Sequence, residues 1–508
     1  MISTLLVSIS CRRNRSEFVT VALSDNFSTL DTLTSKAAAS AADERVRNLM
    51  FNTLVKKDES FEYVGELASE IKTSEDGKVI TFILRDGVKF HNGKDFTSAD
   101  VKYTFDELFK SGGYKSGAFF DTVNKERVAH ILSMETPDAR TVVVTVGRPA
   151  LKNQLLSNLV AIPIIPEGSV AQQASQPLGS GPFKFTSFDQ SQNIVELAAN
   201  PDYFEGAPKV QKLRVKTITD ASSLQAELQT GGVDLAPLPS NLPPDTLKTM
   251  NDLPNLKVEQ FDGSNVQYLI FNVQSAPLNN VKVRQAIGYA VDREKIIRDL
   301  LFDQARMAHS VIPQESKAYS PGTVYTYDPQ RARQLLKEAG YKGEPIVFKF
   351  SSGNSAVSQY SQVIQSSLND VGLNVQIETL EIRTIREQLK QGQFQMFTGI
   401  WTGGNQDPIF LKDLFTTGRI PSDVVPCCNR GRYSNPEVDK LVEDAINEVD
   451  PQKARELYVK AWATISSDLP LLPLWYPANM IVANERIGNI KIGPSGEWGF
   501  IKDITVNN

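Results

Sequence analysis

Histidine and cysteine are scarce in this chain, three of each among 508 residues. His91, His130 and His309 lie far apart, and there is no H-E-x-x-H or C-x-x-C spacing, so no zinc-type ligand set is assembled locally and no metal or other cofactor is expected. Long apolar runs are missing as well. Leu159-Val160-Ala161-Ile162 stops at Pro163, far short of the ~18 residues of a bilayer-spanning helix. Nor is there a basic excess. The 54 lysines and arginines face 59 acidic residues, a net charge of −5, which has the wrong sign for a nucleic-acid partner. A G-x-S-x-G elbow and a P-loop are both absent. GSGPFKF (179–185) contains G-x-G, but Lys184 stands where a dinucleotide loop has its third glycine, so it reads as a tight crossing turn. With no catalytic constellation, an enzyme is not expected.

The cysteines are informative by position. Cys11 follows MISTLLVSIS and precedes Arg12, Arg13 and Arg15. The stretch looks like the apolar core of a secretory or lipoprotein signal without the basic region that should come first. A ragged start with an ordinary free cysteine is the other reading. The folded part is expected to begin near Ser16. Cys427 and Cys428 are adjacent. Trans neighbours have Cα atoms ~3.8 Å apart, below the usual disulfide range of ~4.4–6.8 Å, so two reduced thiols are expected.

What is present is an ordinary globular composition, 41% apolar and 22% charged, with length for about three domains. EFVTVAL (17–23) reads as a first strand, and Ala37–Phe51 has helical composition. Asp76-Gly77, Asp86-Gly87 and Asn92-Gly93 are hairpin signals. Between them Ile80, Phe82 and Leu84 alternate onto one strand face. Thr97 with Asp100 forms a capping box ahead of Val101, Phe105 and Leu108. TVVVTV, IVELAA and KLRVKTI continue the strands, and ASSLQAELQT is a helix stopped by Gly231. After about Asp262 helical patterns dominate. VKVRQAIGYAVDREKIIRDLL places Val283, Ala286, Ile287, Ala290, Val291, Ile297 and Leu300 on one stripe. Asp328-Pro329, Asn435-Pro436 and Asp450-Pro451 each set an oxygen-bearing N-cap before a first-turn proline. EPIVFKF and LNVQIETL flank another helix, an α/β pattern.

Several blocks together resemble the large solute-binding proteins of ABC importers, the family that includes dipeptide-, oligopeptide- and nickel-binding members. They are SEDGKVITFILRDGVKFHNGKDFTSADVKYTFD (74–106), GSGPFKFTSF (179–188), NPDYFEGAPKVQKLRVKTITD (200–220), YLIFNVQSAPLNNVKVRQAIGYAVDREKII (268–297), YDPQRARQLLKEAGY (327–341), WTGGNQDP (401–408) and the stretch 435–475. The resemblance implies an α/β fold of the periplasmic-binding-protein type II kind. Two hinged α/β lobes would be joined by an extra domain inserted near the N-terminus. Lobe I would comprise 17–49, 179–264 and 475–508, the extra domain 50–178, and lobe II 265–474, with 1–16 a signal-like remnant. It also implies a function: capture of a peptide or peptide-like solute in the periplasm or elsewhere outside the cytoplasm, by hinge closure. The solute would pass to an ABC permease with its ATPase subunits. The chain would be a monomer, touching the membrane only through a lipid on Cys11. A non-peptide solute (sugar-like, opine-like or a metal chelate) and a sensor without a permease are the alternatives.

The same resemblance marks a site. Trp401, Gly403, Gly404 and Asn405 would face the hinge, joined by Tyr268 and Asn272 from the YLIFN strand and by Asn26 and Phe27 from the first loop. Core packing for Trp401, hinge hydrogen bonding for Tyr268 and Asn272, and loop packing for Asn26 and Phe27 are the competing structural roles. In peptide-binding relatives an acid three residues after the tryptophan pairs with the ligand's amine; that position here is Gly404. Asp407 stands up to ~10 Å further on in an extended chain. It repeats the cap-plus-proline pattern, so it is expected to cap PIFLKDLF, with a ligand clamp as the other reading. Dipeptide binders also place an arginine after the strand corresponding to 344–350, where this chain has SSGNSAVSQYSQ. Both charged anchors of a free dipeptide therefore look absent.

Overall fold

The computed structural model of the chain describes residues 17–123, 126–422, 425 and 427–507; Cys11 and the leader-like segment lie outside them. Local signals turn into elements close to where the sequence puts them. Ser40 caps the helix Ala41–Met50 through a capping box with Asp43, and Thr97 and Asp100 do the same for Ser98–Ser111. Asp328, Asn435 and Asp450 each accept a backbone N–H at the start of Pro329–Ala339, Pro436–Asn447 and Pro451–Asp468. Ile80, Phe82 and Leu84 are buried on one face of Val79–Leu84. The long stripe after residue 280 is not one helix. It breaks into Val281–Ala290 and Arg293–Asp299, because Asp292 caps the second by accepting from the Lys295 N–H at 2.9 Å.

Among the described residues, two large sheets dominate. The first has seven strands in the order Phe183–Asp189, Ile194–Ala199, Lys212–Thr217, Val19–Leu23, Leu235–Pro237, Asn479–Asn484, Leu256–Phe261. The second has six, in the order Ala305–Met307, Leu471–Pro477, Val266–Phe271, Met396–Trp401, Pro345–Ser351, Asn374–Leu380. Pro345–Ser351 and Asn374–Leu380 run parallel, as a strand–helix–strand unit must. Helices pack on both faces of the six-stranded sheet, giving it two apolar cores. A four-stranded antiparallel sheet, built wholly from residues 68–146, packs with the seven-stranded sheet around one continuous core. GSGPFKF is a close crossing: a Cβ at Gly179 or Gly181 would run into the Met50 backbone.

The chain passes between the large sheets at 262–265 and at Ala478, side by side. Asn479 donates to the Asp262 carbonyl at 3.0 Å, and a Cβ on Gly263 would strike the Pro477 carbonyl. Residue 475, taken from sequence as the return to lobe I, lies within Leu471–Pro477 of the six-stranded sheet; the passage comes at Ala478. Cys427 and Cys428 are joined by a cis peptide, with Cα atoms 3.1 Å apart.

Candidate ligand-binding site

The strand Met396–Trp401 follows directly from its apolar MFTGIW sequence and ends beside the crossing. It pairs along its whole length with Val266–Phe271, from Val266 opposite Trp401 to Phe271 opposite Met396. On its other side it pairs with Pro345–Ser351 only at Met396 and Phe397. Among the described residues, then, Thr398–Trp401 presents an unpaired edge of backbone donors and acceptors.

Aromatic groups stand beside that edge. Trp401 is half-buried. It stacks on Tyr268 at 6.1 Å between ring centroids and 24° between planes, and meets Phe410 edge-on at 5.0 Å. The Arg430 guanidinium lies 5.4 Å from the Trp401 ring. Burial pushes the Tyr268 hydroxyl up to about 12, with Arg430 pulling the other way. The indole Nε1 of Trp401 is buried and has no hydrogen-bond partner among the described residues. Gly399 has no side chain to keep the Tyr268 hydroxyl away from the strand; a Cβ there would come within 2.8 Å of it.

The loop after Trp401 turns at Gly403, whose φ of +74° lies in the region that favours glycine. Gly403 donates its N–H to Asn265 Oδ1 at 3.2 Å. Gly404 is exposed, and a Cβ there would meet the Phe410 ring at 3.1 Å. Asn405 is fully buried. Its Nδ2 donates to the Ser264 carbonyl at 2.6 Å and the Val311 carbonyl at 2.9 Å, so it pins the loop to the crossing. Asp407 is buried too. One oxygen accepts the Ile409 N–H at 2.9 Å and the other the Tyr63 hydroxyl. It caps the turn before the helix Phe410–Phe415, whose own N-cap position is Ile409 without a side-chain bond. The turn tightens into three-residue hydrogen bonds, Phe410 N–H to Asp407 O and Leu411 N–H to Pro408 O, which moves the helix start beyond Asp407. Its carboxylate is thus held by protein donors on both oxygens.

The remaining candidates separate. Phe27 is core, edge-on to Phe188 at 5.3 Å, while Asn26 is exposed on the loop leaving Val19–Leu23. Asn272 sits just past Phe271, at the opposite end of the strand from the Val266–Trp401 pair and about 20 Å from it by strand rise. Its Nδ2 bonds the Gly392 and Phe394 carbonyls, a structural role. Trp462, Trp475 and Trp498 are buried. Residues that sequence reasoning missed bridge the two sides. Lys57 donates to Gln406 Oε1 at 3.3 Å, and Arg455 pairs with Glu62 at 2.8 Å. Burial lowers the pKa of Lys57 against the opposing pull of Asp407 and Glu497. Glu497 is exposed and accepts from the Asn48 side-chain amide. None of these residues belongs to a local motif, so periodicity could not have found them. Arg430 likewise lies in an unpatterned loop. A groove of about 430 Å³ is lined by Lys248, Phe302 and Asp303 among others. No group of three or more potential metal ligands occurs among the described residues, and no described helix is long and apolar enough to cross a membrane.

The model of the bacterial extracellular solute-binding proteins, family 5 (middle region), matches residues 62–422. A Brucella ovis protein whose name, ABC transporter peptide-binding protein, is itself provisional is 32% identical over 472 residues, covering 88% of this chain and 86% of its own. Heme-binding protein A of Haemophilus influenzae is 28% identical over 480 residues, covering 89% and 86%. The solved structure of the oligopeptide-binding protein AppA from Bacillus subtilis, in complex with a nonapeptide, superposes with a TM-score of 0.73 at 24% identity, covering 96% of this chain and 99% of that one. The two large sheets with their paired crossings therefore have the type II periplasmic-binding-protein fold, and the chain belongs to the bacterial extracellular solute-binding proteins of family 5, a family of transport components rather than enzymes.

Proposed function

We propose that this protein is the receptor of an ABC importer for oligopeptides, gripping the peptide backbone along the open edge of Thr398–Trp401 and closing its lobes around it. The unpaired edge carries the reading: an extended peptide can complete it with main-chain hydrogen bonds whatever its side chains. Trp401 and Tyr268 supply a flat apolar wall for a side chain. The peptide-binding names of the Brucella and Bacillus relatives support the same class of solute. Gly404 offers no acid, and Asp407 is engaged on both oxygens, so a free dipeptide lacks an amine anchor there. Peptides of three or more residues, whose affinity rests on the backbone, are the preferred class. Delivery to a permease and its ATPase, export, and a lipid on Cys11 complete the role, without catalysis by this chain.

Titration calorimetry and thermal shift with alanine peptides of two to six residues test it. Binding from three residues upward, with a rise in melting temperature, is expected. The same peptides N-methylated at alternate amides should bind less well. Indifference to every peptide, with a sugar or tetrapyrrole co-purifying instead, would replace the reading.

A further inference from the structure

We propose that Arg430 is the anchor for a carboxylate of the bound solute, a role that the strand-following segment 351–362 cannot fill because it has no arginine. The inference rests on the peptide reading above and deepens it by naming the ligand's charge. Arg430 is half-buried, its guanidinium 5.4 Å from the centre of the Trp401 ring that stacks on Tyr268. Arg419 pairs with Asp413 and Arg455 with Glu62, while Arg432 donates to the Lys390 carbonyl. Among the described residues no carboxylate pairs with Arg430. A partly desolvated guanidinium gains from an anion brought to it.

Its location says what that anion belongs to. Gly399 lets the Tyr268 hydroxyl lie against the strand, so a guanidinium over the Trp401 ring that stacks on Tyr268 stands beside the strand whose edge is open. Trp401 and Tyr268 are on the same sheet face, their residues opposite Val266 and Gly399 in the antiparallel register. A peptide added along Thr398–Trp401 would therefore carry a terminal carboxylate, or an acidic side chain on that face, towards Arg430. The unpartnered indole N–H of Trp401 is a second donor in the same cluster. Guanidinium, indole N–H and phenol form a donor-rich set, suited to an oxygen anion and unsuited to an amine.

The test uses the whole protein with tetra-alanine, its C-terminal amide, and tetra-alanine amides carrying one glutamate at each position in turn. Wild type should bind at least one carboxylate-bearing probe roughly 10- to 100-fold more tightly than the uncharged amide, the range for a charged hydrogen bond. Arg430→Gln should remove that preference, and Arg430→Lys should keep part of it, since a point charge replaces a fork. Equal binding of acid and amide by the wild type, or a preference that survives Arg430→Gln, would overturn the inference and leave the peptide reading standing. Binding of no probe at all would overturn the peptide reading and this inference with it. The wild-type comparison needs no variant, so a poorly folding Arg430→Gln does not remove the test.

Discussion

The loop leaving Val19–Leu23 and the loop leaving Met396–Trp401 each carry the chain out of a large sheet, and they are held by opposite chemistry. The first is organised by carboxylates. Asp43, 1% exposed, accepts from the Ser28 N–H at 2.7 Å, the Thr29 N–H at 3.1 Å and the Ser40 N–H at 2.7 Å. Asp31 accepts from the Leu33 and Thr34 N–H groups, both at 2.9 Å. The second is organised mainly by neutral amides: Asn405 on two carbonyls, Gln406 on the Ser264 hydroxyl, Asn265 on Gly403. Charged acceptors bind backbone donors more strongly but titrate; amides hold their bonds at any pH. The first loop should behave as a rigid, acid-sensitive wall, the second as an acid-tolerant one.

The largest test of that contrast is Asp43→Ala. Losing a buried acceptor of several bonds should cost about 3–4 kcal/mol in urea unfolding. The pH dependence has a definite sign. Burial works to raise the Asp43 pKa, but the N–H donors of Ser28, Ser40 and Thr29 together outweigh it and leave it below the ordinary 3.8. A carboxyl depressed in the folded state stabilises above its unfolded pKa and loses that contribution as pH falls through the folded value. Wild type should therefore lose stability more steeply than Asp43→Asn below about pH 4. A parallel decline of the two would remove Asp43 from the account.

Asn405→Ala leaves the Ser264 and Val311 carbonyls unpaired beside the crossing. It should destabilise by about 2 kcal/mol, with the same loss at pH 4 and pH 7 when each is referred to wild type. A loss that grows on acidification would contradict the amide-held picture. Trp401→Ala should weaken peptide affinity by about 2 kcal/mol and stability by less, as expected of a half-buried ring at the site. The reverse ranking in calorimetry and unfolding would make Trp401 a core residue.

The smallest effect is expected of Gly404→Asp. The new Cβ requires the Phe410 ring to give by a few tenths of an ångström. A gain for free dipeptides of about 1 kcal/mol or less is expected, because packing offsets part of the new charge pair. A gain of several kilocalories would mean that the missing acid alone excludes dipeptides.

Legibility from sequence followed the same division. Thr97 with Asp100, the three Asx-Pro starts and the Ile80–Leu84 alternation were readable because each rests on bonds or faces within a few residues. The break at Asp292 went unread because an apolar stripe continues through it, and only the cap bond reveals the new helix. Among the site candidates, the fold stacks Trp401 on Tyr268, whereas Phe27 packs edge-on to Phe188 and Asn272 bonds carbonyls at the far end of its strand. The Tyr63–Asp407 bond joins groups 344 residues apart, and no local pattern encodes such a pair.

By itself, the sequence determined most elements, the capping box at Thr97, the three Asx-Pro starts, the scarcity of metal ligands and the absence of an acid at Gly404. These follow from spacing and composition, which act over a turn of helix or a strand pair. Only the tertiary structure decided that, among the described residues, Thr398–Trp401 has an open edge, that Asp407 is occupied, and that Arg430 comes to rest over Trp401. Each depends on which distant segments the sheet register and the two crossings bring together, and that is set by burying whole faces rather than by any single neighbour in the chain.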